Sequence, residues 1–143
     1  VLLARTRDAL QCVRQQELRR YGLSWEQFAT LYAIVSSDKG ATIADISRSI
    51  FRQPHTVSEM VMRLEKEGLV QKSRSLPRKN LVCVTLTEKG YQAWLKAYQE
   101  KATARIFSSL SKAKRKRLQT YLNVLLNAAV DEIGPKPRYL LRP

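Results

Sequence analysis

The chain is short of the residues that most chemistry needs. Among its 143 residues there is a single histidine, His55, and only two cysteines, Cys12 and Cys83, which lie far apart. The sequence shows no metal-ligand spacing, no glycine-rich phosphate loop and no paired nucleophile and base. Catalysis is therefore not expected, nor any cofactor or metal. Two distant thiols build no disulfide framework and fit a reducing cytoplasm. No apolar run is long enough to cross a membrane. The opening VLLARTRDALQ is broken by charge at Arg5, unlike a signal peptide. The chain begins at Val1 rather than Met, which points to a trimmed N-terminus. Acidic residues are also scarce, 12 against 26 Lys and Arg, giving a net charge of +14. That imbalance favours a polyanionic partner such as DNA, RNA or an acidic membrane surface.

The hydrophobic fraction of 44% is enough for one packed domain with flanking helices. Helical patterning dominates. Residues 1–21 carry Leu2, Leu3, Leu10, Val13 and Leu18 among Arg and Gln, and Gly22 ends that helix. Ser24 and Gln27 form a capping box for a helix bearing Trp25, Phe28, Leu31, Tyr32 and Val35. Thr42 with Asp45 caps a short helix over 43–50, where Ile43, Ile46 and Ile50 share a face. Pro54 fits the first position of the next helix, and Gly68 closes it, with Leu69 packing back on Leu64.

From Leu69 the period changes. Leu69–Ser75 and Leu81–Leu86 read as strands, with Leu76–Asn80 as a loop punctuated by Pro77. Thr87 caps a further helix with Tyr91, Trp94, Leu95 and Tyr98 on one stripe. A last helix from Ser111 carries Leu118, Tyr121, Leu122, Leu125, Leu126, Ala129 and Ile133, and Gly134 and Pro135 stop it. Apart from KAKRKR at 112–117, no low-complexity segment or internal repeat is present.

A short helix, a turn, a second helix and a basic hairpin make a winged helix-turn-helix. In the helix from Pro54 to Glu67, Val57, Met60, Val61 and Leu64 form the buried stripe. His55, Glu59, Met62 and Lys66 lie opposite, with Thr56, Ser58 and Arg63 on the flanks. The N-terminal half of such a helix touches base edges, which selects Gln53, His55, Thr56, Ser58 and Glu59 as readers. Gln can bond adenine bidentately, and Glu can accept from the cytosine amino group. Arg63 and Lys66 are phosphate contacts or solvated charges. Lys72, Arg74, Arg78 and Lys79 gather on the hairpin, whose tip can enter a minor groove.

The residues LSWEQFATLYAI, TIADISRSI, HTVSEMVMRLEKEGLVQKSR and VCVTLTEKG, in that order, resemble the MarR family of winged-helix transcriptional regulators. The resemblance runs from Leu23 to Tyr98, and the flanking helices extend it over nearly the whole chain. It implies a mainly α fold with a small antiparallel β wing, six helices and a three-stranded wing sheet whose first strand lies near Ala41-Thr42. Residues 23–99 would be the DNA-binding region, and residues 1–22 and 100–143 the dimerisation helices. It further implies a cytoplasmic homodimer on a pseudo-palindromic operator, a repressor released by a small, often aromatic, effector. Trp25, Phe28, Tyr32 and Trp94, with Tyr91 and Tyr98, would line the effector pocket, against the alternative of a packed core. The wing departs from the family: Arg78 and Asn80 stand where an Asp-x-Arg pair usually orders the tip. A mobile tip is expected, with Arg78→Ala weakening binding to A·T-flanked sites. The competing reading is a winged-helix module for protein or RNA contact without operator specificity.

Cys12 reads as a buried small apolar residue, away from the position of the family's peroxide-sensing cysteine. Cys83 falls on the strand face opposite Val82 and Val84, where exposure is expected. The basic run 112–117 reads as a solvated face, with a phosphate or partner site as the alternative. Residues 41–87 hold eight basic and four acidic residues, so much of the charge lies outside the reading module.

Overall fold

The structure is a computed structural model and describes residues 1–74 and 81–132. These form seven helices and a two-stranded sheet: α1 (Leu2–Arg19), α2 (Trp25–Val35), α3 (Ile43–Ile50), α4 (Pro54–Lys66), β1 (Val70–Arg74), β2 (Val82–Leu86), α5 (Glu88–Tyr98), α6 (Ala102–Phe107) and α7 (Lys112–Glu132).

Local signals place most boundaries. At the start of α2, the Gln27 N–H donates to Ser24 Oγ at 3.1 Å and the Ser24 N–H donates to Gln27 Oε1 at 2.8 Å. Thr42 and Asp45 make the same reciprocal pair before α3, at 3.1 and 3.0 Å. Each pair satisfies donors that a helix start would leave unpaired. Gly68 takes φ +72° after α4, and the Leu69 N–H then donates to Leu64 O at 2.9 Å. Thr87 Oγ1 accepts from the Gly90 N–H at 3.0 Å and donates to Gly68 O at 2.6 Å, tying the start of α5 to the end of α4. At Gly90 the need is space: an added Cβ would lie 1.8 Å from Leu69 O.

The two strands pair antiparallel, with Val70 opposite Leu86 and Arg74 opposite Val82. The expected third strand is a single bridge, in which Ala41 and Val84 exchange hydrogen bonds of 3.0 and 2.9 Å. One core joins α1 to α5 through Leu18, Leu31, Ile46, Val57, Val61, Leu64, Val84 and Ala97, all at most 1% exposed. Burying such side chains stabilises the fold by about 25 cal/mol for each Å² of apolar surface removed from water, the main favourable contribution.

Several sequence expectations need correction. α6 was not legible locally, because its cap comes from another helix. The Ala102 N–H donates to Glu17 Oε1 at 2.8 Å, and Glu17 is held by Arg14 at 3.0 Å. The described chain therefore has seven helices rather than six. In α1 only Arg14, Glu17 and Leu18 are buried, while Leu2 and Leu3 are exposed, so the apolar pattern does not mark the face that packs within the chain. Cys12 is exposed, not buried, since it lies off the face that carries Arg14 and Leu18. Cys83 is buried at 3% exposure, because the Gly40–Ala41 segment crosses beside β2. The stop at Gly134 and Pro135 lies outside the described residues.

Candidate nucleic-acid interface

α4 is held by its apolar stripe. Val57, Val61 and Leu64 are buried and Met60 is packed against them, so the other face must point outward. Pro54 occupies the first turn, where its missing N–H costs nothing. The preceding turn is tight: Phe51 adopts φ 53°, ψ 48°, a left-handed conformation disfavoured for a bulky residue, and the Arg52 N–H donates to Ser47 O at 3.1 Å.

Gln53, His55, Thr56, Glu59 and Arg63 are all exposed on this outward face, and Ser58 is half-buried. His55 Nε2 lies 3.3 Å from Glu59 Oε1, one turn along. The pair offers a donor and an acceptor side by side, as base-edge reading needs. Met62 belongs to the same face and is 52% exposed. With Glu59, Arg63 and Lys66 it lines a shallow open hollow on the helix. Helical spacing puts Met62 on this face, but its apolar type did not mark it as a reader. The signal was its position three residues after Glu59, and an exposed thioether there fits contact with a thymine methyl.

On the wing, Lys72 Nζ lies 2.8 Å from Glu65 Oε2, which fastens β1 to α4. Lys72 is thus already partnered. Arg74 is exposed at the strand end. Arg78 and Lys79 fall outside the described residues.

The aromatic residues form a ladder across α2 and α5. Trp25–Phe28, Phe28–Tyr32, Tyr32–Tyr98, Tyr98–Trp94 and Trp94–Tyr91 are neighbours at centroid distances of 5.1 to 6.5 Å. Phe28 and Trp94 belong to the core, whereas Tyr32, Tyr91 and Tyr98 are exposed. Arg14 lies over the Phe28 ring at 4.4 Å and donates to Ala97 O at 2.9 Å. Among the described residues the buried Trp94 Nε1 has no hydrogen-bond partner. Trp25 stands apart from the far end of the ladder. It lines a cavity of about 40 Å³ between α2 and the start of α4, with Ile50, Thr56, Val57 and Met60. That volume admits water but not a drug-sized molecule. No group of His, Cys, Asp and Glu that could hold a metal ion occurs among the described residues. No described helix is long and apolar enough to cross a membrane.

The family model of the transcriptional regulators SarA/Rot matches residues 13–96, which contain α2 to β2 and most of α5. The chain belongs to this family. Its fold is that of the MarR-type winged-helix regulators. A curated relative, the HTH-type transcriptional regulator SarZ of Staphylococcus haemolyticus, is 30% identical over 73 residues, 51% of this chain and 49% of SarZ. The chain thus spans about half the length of the curated relative it matches. Among solved structures, the ligand-free organohalide-sensing regulator RdhR-CbdbA1625 covers 100% of this chain and 85% of its own, at TM-score 0.82 and 26% identity. The Staphylococcus aureus MepR–DNA complex covers 90% and 94%, at TM-score 0.79 and 21% identity. CouR from Rhodococcus jostii RHA1, bound to p-coumaroyl-CoA, covers 87% and 88%, at TM-score 0.81 and 18% identity. The last two show a shared fold.

Proposed function

We propose that this SarA/Rot family member is a sequence-specific, double-stranded-DNA-binding regulator that acts as a homodimer and represses from a pseudo-palindromic operator. The observation that carries the reading is the outward face of α4. Its apolar stripe is fully committed to the core, while Gln53, His55, Thr56, Glu59 and Arg63 stand exposed beyond a tight turn. A helix presented this way enters a major groove with its N-terminal half on the base edges. Arg63 and Arg74 then contact phosphate, and Arg78 and Lys79, which lie outside the described residues, add positive charge for the same backbone. The relative MepR, solved in complex with DNA, supports the same role here.

Dimerisation is supported by apolar surface that the single chain leaves open. Leu2 and Leu3 of α1, and Tyr121, Leu122, Val124, Leu125 and Leu126 of α7, are all exposed, and α7 buries no residue. Exposed apolar side chains in that number call for a partner surface. The aromatic ladder, with the unpartnered Trp94 N–H beside exposed Tyr98, supports a site for a small aromatic effector bearing an acceptor. A cytoplasmic location follows from this role.

The decisive test is binding to DNA from upstream of the protein's own gene, with random duplex as competitor, at two salt concentrations. Preference for one duplex by ~10³-fold or more is expected. Equal affinity for every sequence, or tighter binding to RNA, would overturn the operator reading.

A further inference from the structure

The most concentrated charge in the molecule is not on the reading module. Residues 101–117 contain seven cations, Lys101, Arg105, Lys112, Lys114, Arg115, Lys116 and Arg117, and no acidic residue. This segment alone carries +7 of the net +14. All seven side chains are exposed. None makes an ion pair among the described residues, and no carboxylate lies between Glu100 and Asp131. The five cations of α7 crowd its first two turns, where they repel one another and oppose the positive end of the helix dipole. Among the described residues no ion pair offsets that repulsion.

The distribution of the charges identifies the occupant. At 100° per residue, Lys112, Lys114, Arg115, Lys116 and Arg117 leave no gap wider than about 100° around the helix. They form a collar, not a face. An anionic membrane meets a helix from one side, with apolar residues on that side. An acidic protein patch is one-sided too. A duplex groove presents phosphates on two walls, and a major groove about 12 Å wide admits a helix about 10–12 Å across. The collar therefore fits the phosphate backbone of DNA, read by charge and not by sequence.

Its position separates it from the operator contact. α4 packs on α2, α3 and β1, whereas α6 packs on α1, and no comparable packing joins α4 to α6 or α7 among the described residues. We infer that the collar at residues 112–117 is a second, sequence-independent DNA site, which lets one molecule hold a second duplex while α4 holds the first. The inference rests on the protein being a DNA binder but not on α4 being sequence-specific.

The test uses the full chain and two duplexes with donor and acceptor fluorophores, so that energy transfer reports bridging. The altered chain carries Lys114→Gln, Arg115→Gln, Lys116→Gln and Arg117→Gln together; Gln keeps good helix propensity. The unaltered chain is expected to bridge, with the altered chain losing roughly tenfold or more of that signal and its steep salt dependence. Affinity for a single cognate duplex should change by less than about threefold, since those phosphate contacts belong to α4 and the wing. A Lys114→Arg, Lys116→Arg chain, which keeps the charge, should bridge normally. Equal bridging with and without the four cations overturns the inference. So does tighter capture by the collar of phosphatidylglycerol vesicles or of polyglutamate than of duplex. Glu59→Ala, scored for operator preference, reports on α4 alone, so failure of sequence reading and failure of the collar are told apart.

Discussion

α4 and the 101–117 segment handle charge in opposite ways. Around α4, cations and anions are interleaved: Glu59 sits beside His55, and Glu65 holds Lys72. The helix is pinned by Val57, Val61 and Leu64, so each outward side chain has a defined direction. In 101–117 the charge is of one sign and every cation is solvent-facing, and α7 is pinned by no buried residue. Reading a sequence needs direction and mixed donors and acceptors. Holding a phosphate backbone needs only positive charge within reach. The most basic part of the chain is thus not the part equipped for specificity.

The two regions should differ most in stability. Leu64→Ala removes a fully buried side chain from α4 and is expected to cost about 2–5 kcal/mol in denaturant unfolding. Leu125→Ala in α7 removes a side chain that is 56% exposed in the single chain. Its cost should vanish at low protein concentration and grow as concentration drives pairing. A concentration-independent loss as large as that of Leu64→Ala would show that α7 packs on its own chain.

Specificity comes next. Glu59→Ala should lower discrimination between cognate and substituted duplexes by about 1–3 kcal/mol, roughly fivefold to a hundredfold, read by fluorescence anisotropy. Random-duplex affinity should not fall, because a carboxylate repels phosphate. A uniform loss across all sequences would make Glu59 a structural residue.

A smaller effect is expected at the turn that aims α4. Phe51 holds a left-handed conformation and is 44% exposed. Phe51→Gly should raise stability by about 1 kcal/mol, visible as a higher melting temperature, because glycine carries no Cβ penalty there. A lower melting temperature would mean that the ring's packing outweighs the strain.

What was legible in the sequence was local. Ser24 with Gln27, Thr42 with Asp45, Pro54, Gly68 and Thr87 each set a boundary through their own neighbours, so the module emerged intact. The stripe on α4 was legible because its partners all lie on one face. What stayed hidden depended on distant contacts. α6 starts where Glu17, 85 residues earlier, caps Ala102. Cys83 is buried by a segment that crosses beside its strand, which alternation along β2 cannot reveal. Cys12 misled because an apolar stretch in α1 suggested an inward face, yet within one chain that face is mostly exposed. In the candidate interface, the outward placement of His55, Thr56, Glu59 and Met62 was legible from helical spacing, whereas the half-burial of Ser58 was not.

The smallest expected effect lies at the joint between the two regions. Tyr21 Oη donates to Glu100 Oε1 at 2.5 Å, linking the end of α1 to the segment that leads into α6. This hydrogen bond to Glu100, with burial adding to it, pushes the Tyr21 hydroxyl above its ordinary pKa of 10.0. A raised folded pKa means the bond's contribution is complete below about pH 10 and is lost as pH climbs through the higher folded value. Tyr21→Phe should therefore lower the urea midpoint slightly at neutral pH and flatten its decline in alkali. If the two chains lose stability in parallel above about pH 10, the hydroxyl does not carry the joint. In that case the Arg14–Glu17 pair, which reaches both Ala97 and Ala102, would be the main tie between the reading module and the C-terminal helices.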